Sequence, residues 1–273
     1  MAKNVAVRYG AMETVEPMSA PEEPFHLGEA VIVRTERGVE WGVVVTTRPG
    51  SESAAPKGEI LRRATDQDFQ KYRDLTDNQE EDEYRACREL ITQYALPMKL
   101  VRVEHLFGGN KITFFFLADG RVDFRKLVKD LAKRYRTRIE MRQIGVRDET
   151  RMLGEYGPCG RDLCCRAFLR TLKPIPMKVA KSQKSTLDPA KISGRCGRLK
   201  CCLKFEDELY SELKRNLPRR GATVATPIGE GIVVGYHVIN QTVNVRFPDD
   251  TEQTLPLDDV EMVETPGENE NES

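Results

Sequence analysis

Histidine is scarce in this sequence: His26, His105 and His237 are the only three in 273 residues. All three lie far from the clustered cysteines, so a Cys/His zinc site would need ligands recruited over long range. The sequence shows no His-based nucleophile set. There is one Trp, and aromatics make up 7% of the chain, too few to interleave the basic residues as stacking platforms for bases. No run approaches the roughly 18 consecutive apolar residues of a membrane-spanning helix, and Met-Ala-Lys-Asn-Val at the start lacks the apolar core of a signal peptide. Membrane insertion is not expected, and the expected location is the cytoplasm. There is no glycine-rich phosphate loop and no pair of carboxylates in a catalytic context, so an enzyme is not expected either.

Net charge is also missing: 43 basic residues balance 43 acidic ones. The average conceals an asymmetry. From Gly157 to Arg220 there are sixteen Lys and Arg against six Asp and Glu, whereas Asp249 to Ser273 holds ten acidic residues and no basic one. A basic block and an acidic tail cancel only on paper.

Periodicity predicts an α+β protein. Residues 1–64 read as a β-rich N-terminal region, with strands at Val5–Tyr9, Glu29–Arg34 and Trp41–Thr46, a turn near Arg37-Gly38, and loops at Met18–Pro24 and Pro49–Gly58. Region 65–150 reads as a long helix from Asp66 to Tyr94, a hairpin of Lys99–Leu106 and Lys111–Leu117, a helix marked by Phe124, Leu127, Val128 and Leu131, and a strand at Thr137–Ile144. The order α-β-β-α-β suggests a ferredoxin-like sandwich. Residues 151–217 form a duplicated cysteine segment. Residues 218–265 read as a small C-terminal β-barrel of the KOW or Tudor kind, and 266–273 as a disordered acidic tail.

Six of the seven cysteines fall in a repeat. Gly157-Pro-Cys159-Gly160-Arg161-Asp-Leu-Cys164-Cys165 recurs 37 residues later as Gly194-Arg-Cys196-Gly197-Arg198-Leu-Lys-Cys201-Cys202, and the same offset carries Phe168 onto Phe205 and Leu172 onto Leu209. Such an internal repeat marks a repeated structural unit. Gly160 and Gly197 let the backbone turn tightly beside sulfur. Helix starts at Cys164 and Cys201, with Arg161 and Arg198 adjacent, are expected to favour thiolates, and Phe168, Leu172, Phe205 and Leu209 to form apolar helix faces. The expected ligands are Cys159, Cys164, Cys165, Cys196, Cys201 and Cys202. The expected metal is iron–sulfur, with zinc as the alternative. Three thiols per unit do not make complete four-thiolate sites: either one site takes two from each unit, or two sites take three each and need an outside ligand. Cys87, alone on the long helix, reads as a small buried hydrophobe.

These motifs resemble the bacterial YaaT/RicT family, whose members carry a polymerase-suppressor C-terminal homology region. The likeness rests on Gly157–Cys165 and on Lys191-Ile-Ser-Gly-x-Cys-Gly-Arg-Leu-x-Cys-Cys-Leu-Lys204, supported by Met177–Lys181 and Leu187–Lys191. The resemblance implies a non-enzymatic regulator that carries [4Fe–4S] clusters in a complex with RicA-like and RicF-like partners. It also implies that this complex binds the endoribonuclease RNase Y and steers mRNA maturation. The competing expectation is a zinc-stabilised nucleic-acid-binding protein, with RNA as partner. In that reading Arg161, Arg166, Arg170, Lys173, Lys178, Lys181, Lys184 and Lys191 contact phosphates.

Overall fold

The computed structural model describes residues 3–22, 24–46, 55–169, 172–183 and 188–263. Most of the expected 49–58 loop and the 266–273 tail lie outside them. The fold is mixed α+β, in two compact units: residues 1–170 with 195–198, and residues 171–194 with 199–273. The cysteine segment contributes to both.

The first unit begins with a closed barrel of β1 (Lys3–Tyr9), β2 (Thr14–Ala20), β3 (Ala30–Thr35), β4 (Gly38–Thr46) and β5 (Glu59–Arg63), in the order β1-β2-β5-β3-β4. Alternating Val5, Val7 and Tyr9 turn inward with Met18, Val31, Val33, Val44 and Ile60 to fill it. Two of these strands differ from the sequence reading. Met18–Ala20 belongs to β2 and not to a loop. Pro17 disguises the strand, yet it is tolerated there because β5 joins β2 only at Ser19–Glu59. β5 is short and charged. Closure is tight at Gly58, where an added Cβ would meet the Arg34 carbonyl oxygen.

The expected long helix is three consecutive pieces: α1 (Asp66–Arg73), a π-helical stretch at Asp74–Gln79, and α2 (Glu80–Gln93). Thr65 caps α1 in a capping box with Asp68. Next come β6 (Lys99–His105), β7 (Lys111–Leu117), α3 (Arg125–Tyr135) and β8 (Arg138–Gln143), in the α-β-β-α-β order expected. β7 pairs antiparallel with β6 and parallel with β8. In a split βαβ a further strand would separate β7 from β8. None does so among the described residues, so the ferredoxin-like likeness extends to element order only. The run Ile112–Phe116 is buried without alternation because both faces are covered. Phe114 packs with Cys87, Leu127 and Leu131, and Phe115 with Ala11 and Ile144. α4 (Val146–Leu153) and the one-turn α5 (Cys164–Ala167) come after them.

In the second unit α6 (Met177–Ser182), α7 (Pro189–Ile192) and α8 (Cys201–Arg215) enclose a small core of Val179, Ala180, Ile192 and Leu203. The strands β9 (Thr223–Thr226), β10 (Gly229–His237), β11 (Thr242–Arg246), β12 (Glu252–Pro256) and β13 (Glu261–Met262) form one antiparallel sheet in the order β12-β11-β10-β9-β13. Tyr210 and Leu213 of α8 pack on its core of Val224, Val233, Val243 and Val245. Among the described residues β12 and β13 are the sheet's two unpaired edges, so this module is open. A β13 of two residues and a β12 ending in Pro256 offer too few donors to seal it. The closed barrel is the N-terminal one.

Candidate metal centre

The two cysteine loops repeat in backbone geometry as well as in sequence. In the first, Tyr156 and Asp162 form an isolated antiparallel bridge; in the second, Ser193 and Leu199 do so, again 37 positions on. Gly160 and Gly197 both take left-handed conformations, φ +75° and +71°. Leu163 (φ −56°, ψ 129°) and Lys200 (φ −56°, ψ 133°) deliver the chain into helices that start at Cys164 and Cys201. Within the first loop Gly157 N–H donates to the Arg161 carbonyl at 2.8 Å and Gly160 N–H to the Gly157 carbonyl at 3.0 Å. A Cβ on Gly157 would lie 3.3 Å from Cys159 Sγ, so glycine makes room for that sulfur. Arg195 of the second loop reaches the first: its Nε donates to the Tyr156 carbonyl at 3.3 Å and lies 3.6 Å from Glu155. Neither Glu155 nor Arg195 stood out in the sequence, because both fall outside the repeated pattern.

The sister helices diverge after one turn. α5 stops at Phe168 (φ −141°), whereas α8 continues to Arg215. The expected apolar helix faces do not form. Leu172 lies beyond α5, and Phe168, Phe205 and Leu209 are exposed. Cys159 is exposed; Cys164, Cys196, Cys201 and Cys202 are partly buried, and Cys165 is buried. The thiol of Cys202 is pushed up, first by burial and then by Glu206, against the expectation of a favoured thiolate. Arg161 and Arg198 are exposed.

No disulfide links the cysteines among the described residues. Thiols in tight glycine turns are donors suited to iron–sulfur and to zinc alike, so the donor chemistry fits such a group. Among the described residues no three His, Cys, Asp or Glu side chains are gathered to hold one metal ion. Cys87 stands apart: it is fully buried beside Phe114 and Leu127, and burial pushes its thiol up to about 12.

The candidate phosphate contacts separate. Arg166 is held by Glu13, with Nη2 to Oε1 at 3.1 Å and Nε to Oε2 at 3.2 Å, which makes it a structural strut. Lys173, Lys178, Lys181 and Lys191 are exposed. Arg170 and Lys184 lie outside the described residues.

Two family models match: "PSP1 C-terminal conserved region" over residues 58–144 and "PSP1-like protein, third domain" over residues 174–217. The chain is 46% identical over 230 residues to "Stage 0 sporulation protein YaaT" of Bacillus subtilis (strain 168), covering 82% of both chains. This chain belongs to the YaaT/RicT family. An uncharacterized protein of Schizosaccharomyces pombe is 40% identical over 95 residues, which are 33% of this chain and 12% of that protein. No solved structure matches. The PSP1 C-terminal region runs from just before β5 to Ile144, so in this YaaT/RicT member it precedes the cysteine loops. The first loop lies between the two matches and the second lies inside the third-domain match. No helix among the described residues is long and apolar enough to cross a membrane.

Proposed function

We propose that this chain is a non-enzymatic, cytoplasmic regulatory adaptor whose two cysteine loops bind iron–sulfur, and that it acts in a complex controlling an endoribonuclease and mRNA maturation. One observation carries the reading: bridge, left-handed glycine, cap and helix start recur at one 37-residue offset around three cysteines each. Duplicated backbone geometry around sulfur favours a ligand-holding unit over a packing unit, because the aromatic four residues after each helix start, Phe168 or Phe205, is left exposed. Cys159, Cys164 and Cys165 hold one set of sulfurs, and Cys196, Cys201 and Cys202 the other. Gly160 and Gly197 supply the turn, and Arg161 and Arg198 the neighbouring positive charge. A bound [4Fe–4S] cluster would supply a redox- and oxygen-sensitive tie among these thiolates.

Three thiols per loop leave a fourth position open, which is the role assigned to RicA-like and RicF-like partners, with RNase Y as the target of the assembled complex. Membership of the YaaT/RicT family supports a regulatory role. The zinc-stabilised nucleic-acid reading is weaker, because Arg166 is already engaged by Glu13. Anaerobic co-purification with the two small partners and RNase Y tests the proposal. The wild-type chain should retain all three, and a variant with all six loop cysteines replaced by Ser should lose the small partners. Equal retention by both would defeat it.

A further inference from the structure

A second polar site lies within the first unit, away from the cysteines. It is a cavity of about 60 Å³ where the start of α2 and the π-helical stretch meet β6 and the outside of the barrel. The π-helical residues Leu75 and Thr76 line it, and the stacked pair Trp41 and Tyr72, with ring centroids 4.6 Å apart, forms one wall. π-helical turns inside a helix are rare and recur at functional sites.

The carboxyls in and around the cavity outnumber their counter-charges. β4 contributes Glu40, 2% exposed, whose Oε1 accepts the Thr35 hydroxyl at 2.5 Å. β6 contributes Glu104, which accepts Ala11 N–H at 2.8 Å and pairs with Arg37. α2 contributes Glu80, which accepts the His105 backbone N–H at 3.0 Å, and Glu83, whose Oε1 lies 2.6 Å from His105 Nδ1. The other oxygen of Glu83 is buried with no hydrogen-bond partner. Against these four carboxyls stand the guanidiniums of Arg37 and Arg102, the imidazole of His105, and Lys111, whose ammonium is already paired with Glu140 at 3.0 Å. Arg37 is already shared by Glu104 and, at 3.6 Å, Glu40. A buried cluster with surplus carboxyls cannot ionise all of them, and the surplus is relieved by holding a proton.

We propose that this junction is a proton-operated latch: with Glu80 protonated the 74–83 stretch stays docked on β6, and loss of that proton loosens it. Glu80 is the member that titrates. Burial pushes up both Glu40 and Glu80, but Arg37, the Thr35 hydroxyl and Lys111 favour the charge of Glu40, whereas only the His105 N–H and Arg102 favour that of Glu80, against Glu83 from its own helix and Glu104 from β6. Tyr72 from α1 and Glu40 from β4 line the same cavity. Burial is the largest influence, and the carboxyl is pushed up to about 7. The undocked carboxyl would titrate near 4.3, so docking weakens by about tenfold between roughly pH 6 and pH 8.

Trp41, the single tryptophan, stands in the cavity wall and reports on it. The test compares the full-length chain, Glu80→Gln and His105→Gln by hydrogen–deuterium exchange of residues 74–83, corrected for intrinsic rates, and by Trp41 emission across the same pH range. The wild type should lose about tenfold protection with an emission change centred near neutrality; Glu80→Gln should lose both responses and His105→Gln should keep both. Equal wild-type protection at both pH values overturns the latch without recourse to any variant. So does a pH response that survives in Glu80→Gln, or one that vanishes in His105→Gln.

Discussion

Cys87 and the loop cysteines are one residue type in opposite surroundings. Packed beside Phe114 and Leu127, the Cys87 thiol has no water to stabilise its anion and sits up at about 12. Cys159 is exposed. Thiol alkylation of the native, metal-stripped chain at neutral pH should therefore modify Cys159 quickly and spare Cys87 until the chain is denatured, as mass mapping would show. Cys87→Ser buries a hydroxyl and should cost about 1–3 kcal/mol by urea unfolding while leaving iron content unchanged. Glu80 gives a pH dependence whose sign is fixed. The unfolded carboxyl releases its proton near 4.3 and the folded one near 7. Between those values the folded chain binds more protons than the unfolded, so this contribution to stability is full below the window and is lost as pH rises through it. Urea midpoints of the wild type should fall across the window relative to those of Glu80→Gln.

At the scale of elements, the loops depend on two glycines. Nothing lies within 4 Å of a Cβ added at Gly160 or Gly197, so their requirement is conformational alone. Gly160→Ala or Gly197→Ala should cost about 1–2 kcal/mol each, read as a lowered urea midpoint, and should reduce iron retention without unfolding the barrel. Gly58→Ala differs in kind, because the new Cβ meets the Arg34 backbone; overpacking there should cost about 1–3 kcal/mol or more, measured by thermal unfolding. Much of this was legible in the sequence. The repeat predicted two equivalent turns, and the apolar runs predicted the middle helices and hairpin. β2 was hidden by Pro17, and β5 by its charges. The length of α5 was not legible either: two near-identical starts, at Cys164 and Cys201, continue for one turn or four, and only tertiary packing decides which. The clustered carboxyls left no sequence signal because Glu40, Glu80, Glu83 and Glu104 come from three separate elements and carry no shared spacing.

For the whole molecule, the zero net charge hides a basic block and an acidic C-terminal stretch that never share a segment. If the basic block served nucleic acid, affinity would fall steeply with salt. With Arg166 engaged by Glu13 and few aromatics nearby, single-stranded RNA should show no specific, salt-sensitive gel shift. The central claim is that two sister loops hold iron and sulfide. It is tested most directly by assaying iron, acid-labile sulfide and zinc in the chain purified anaerobically with its partners. A brown complex with matching iron and sulfide, both lost when the six loop cysteines become Ser, is the predicted result; a colourless complex holding stoichiometric zinc, or iron unaffected by those substitutions, would contradict it.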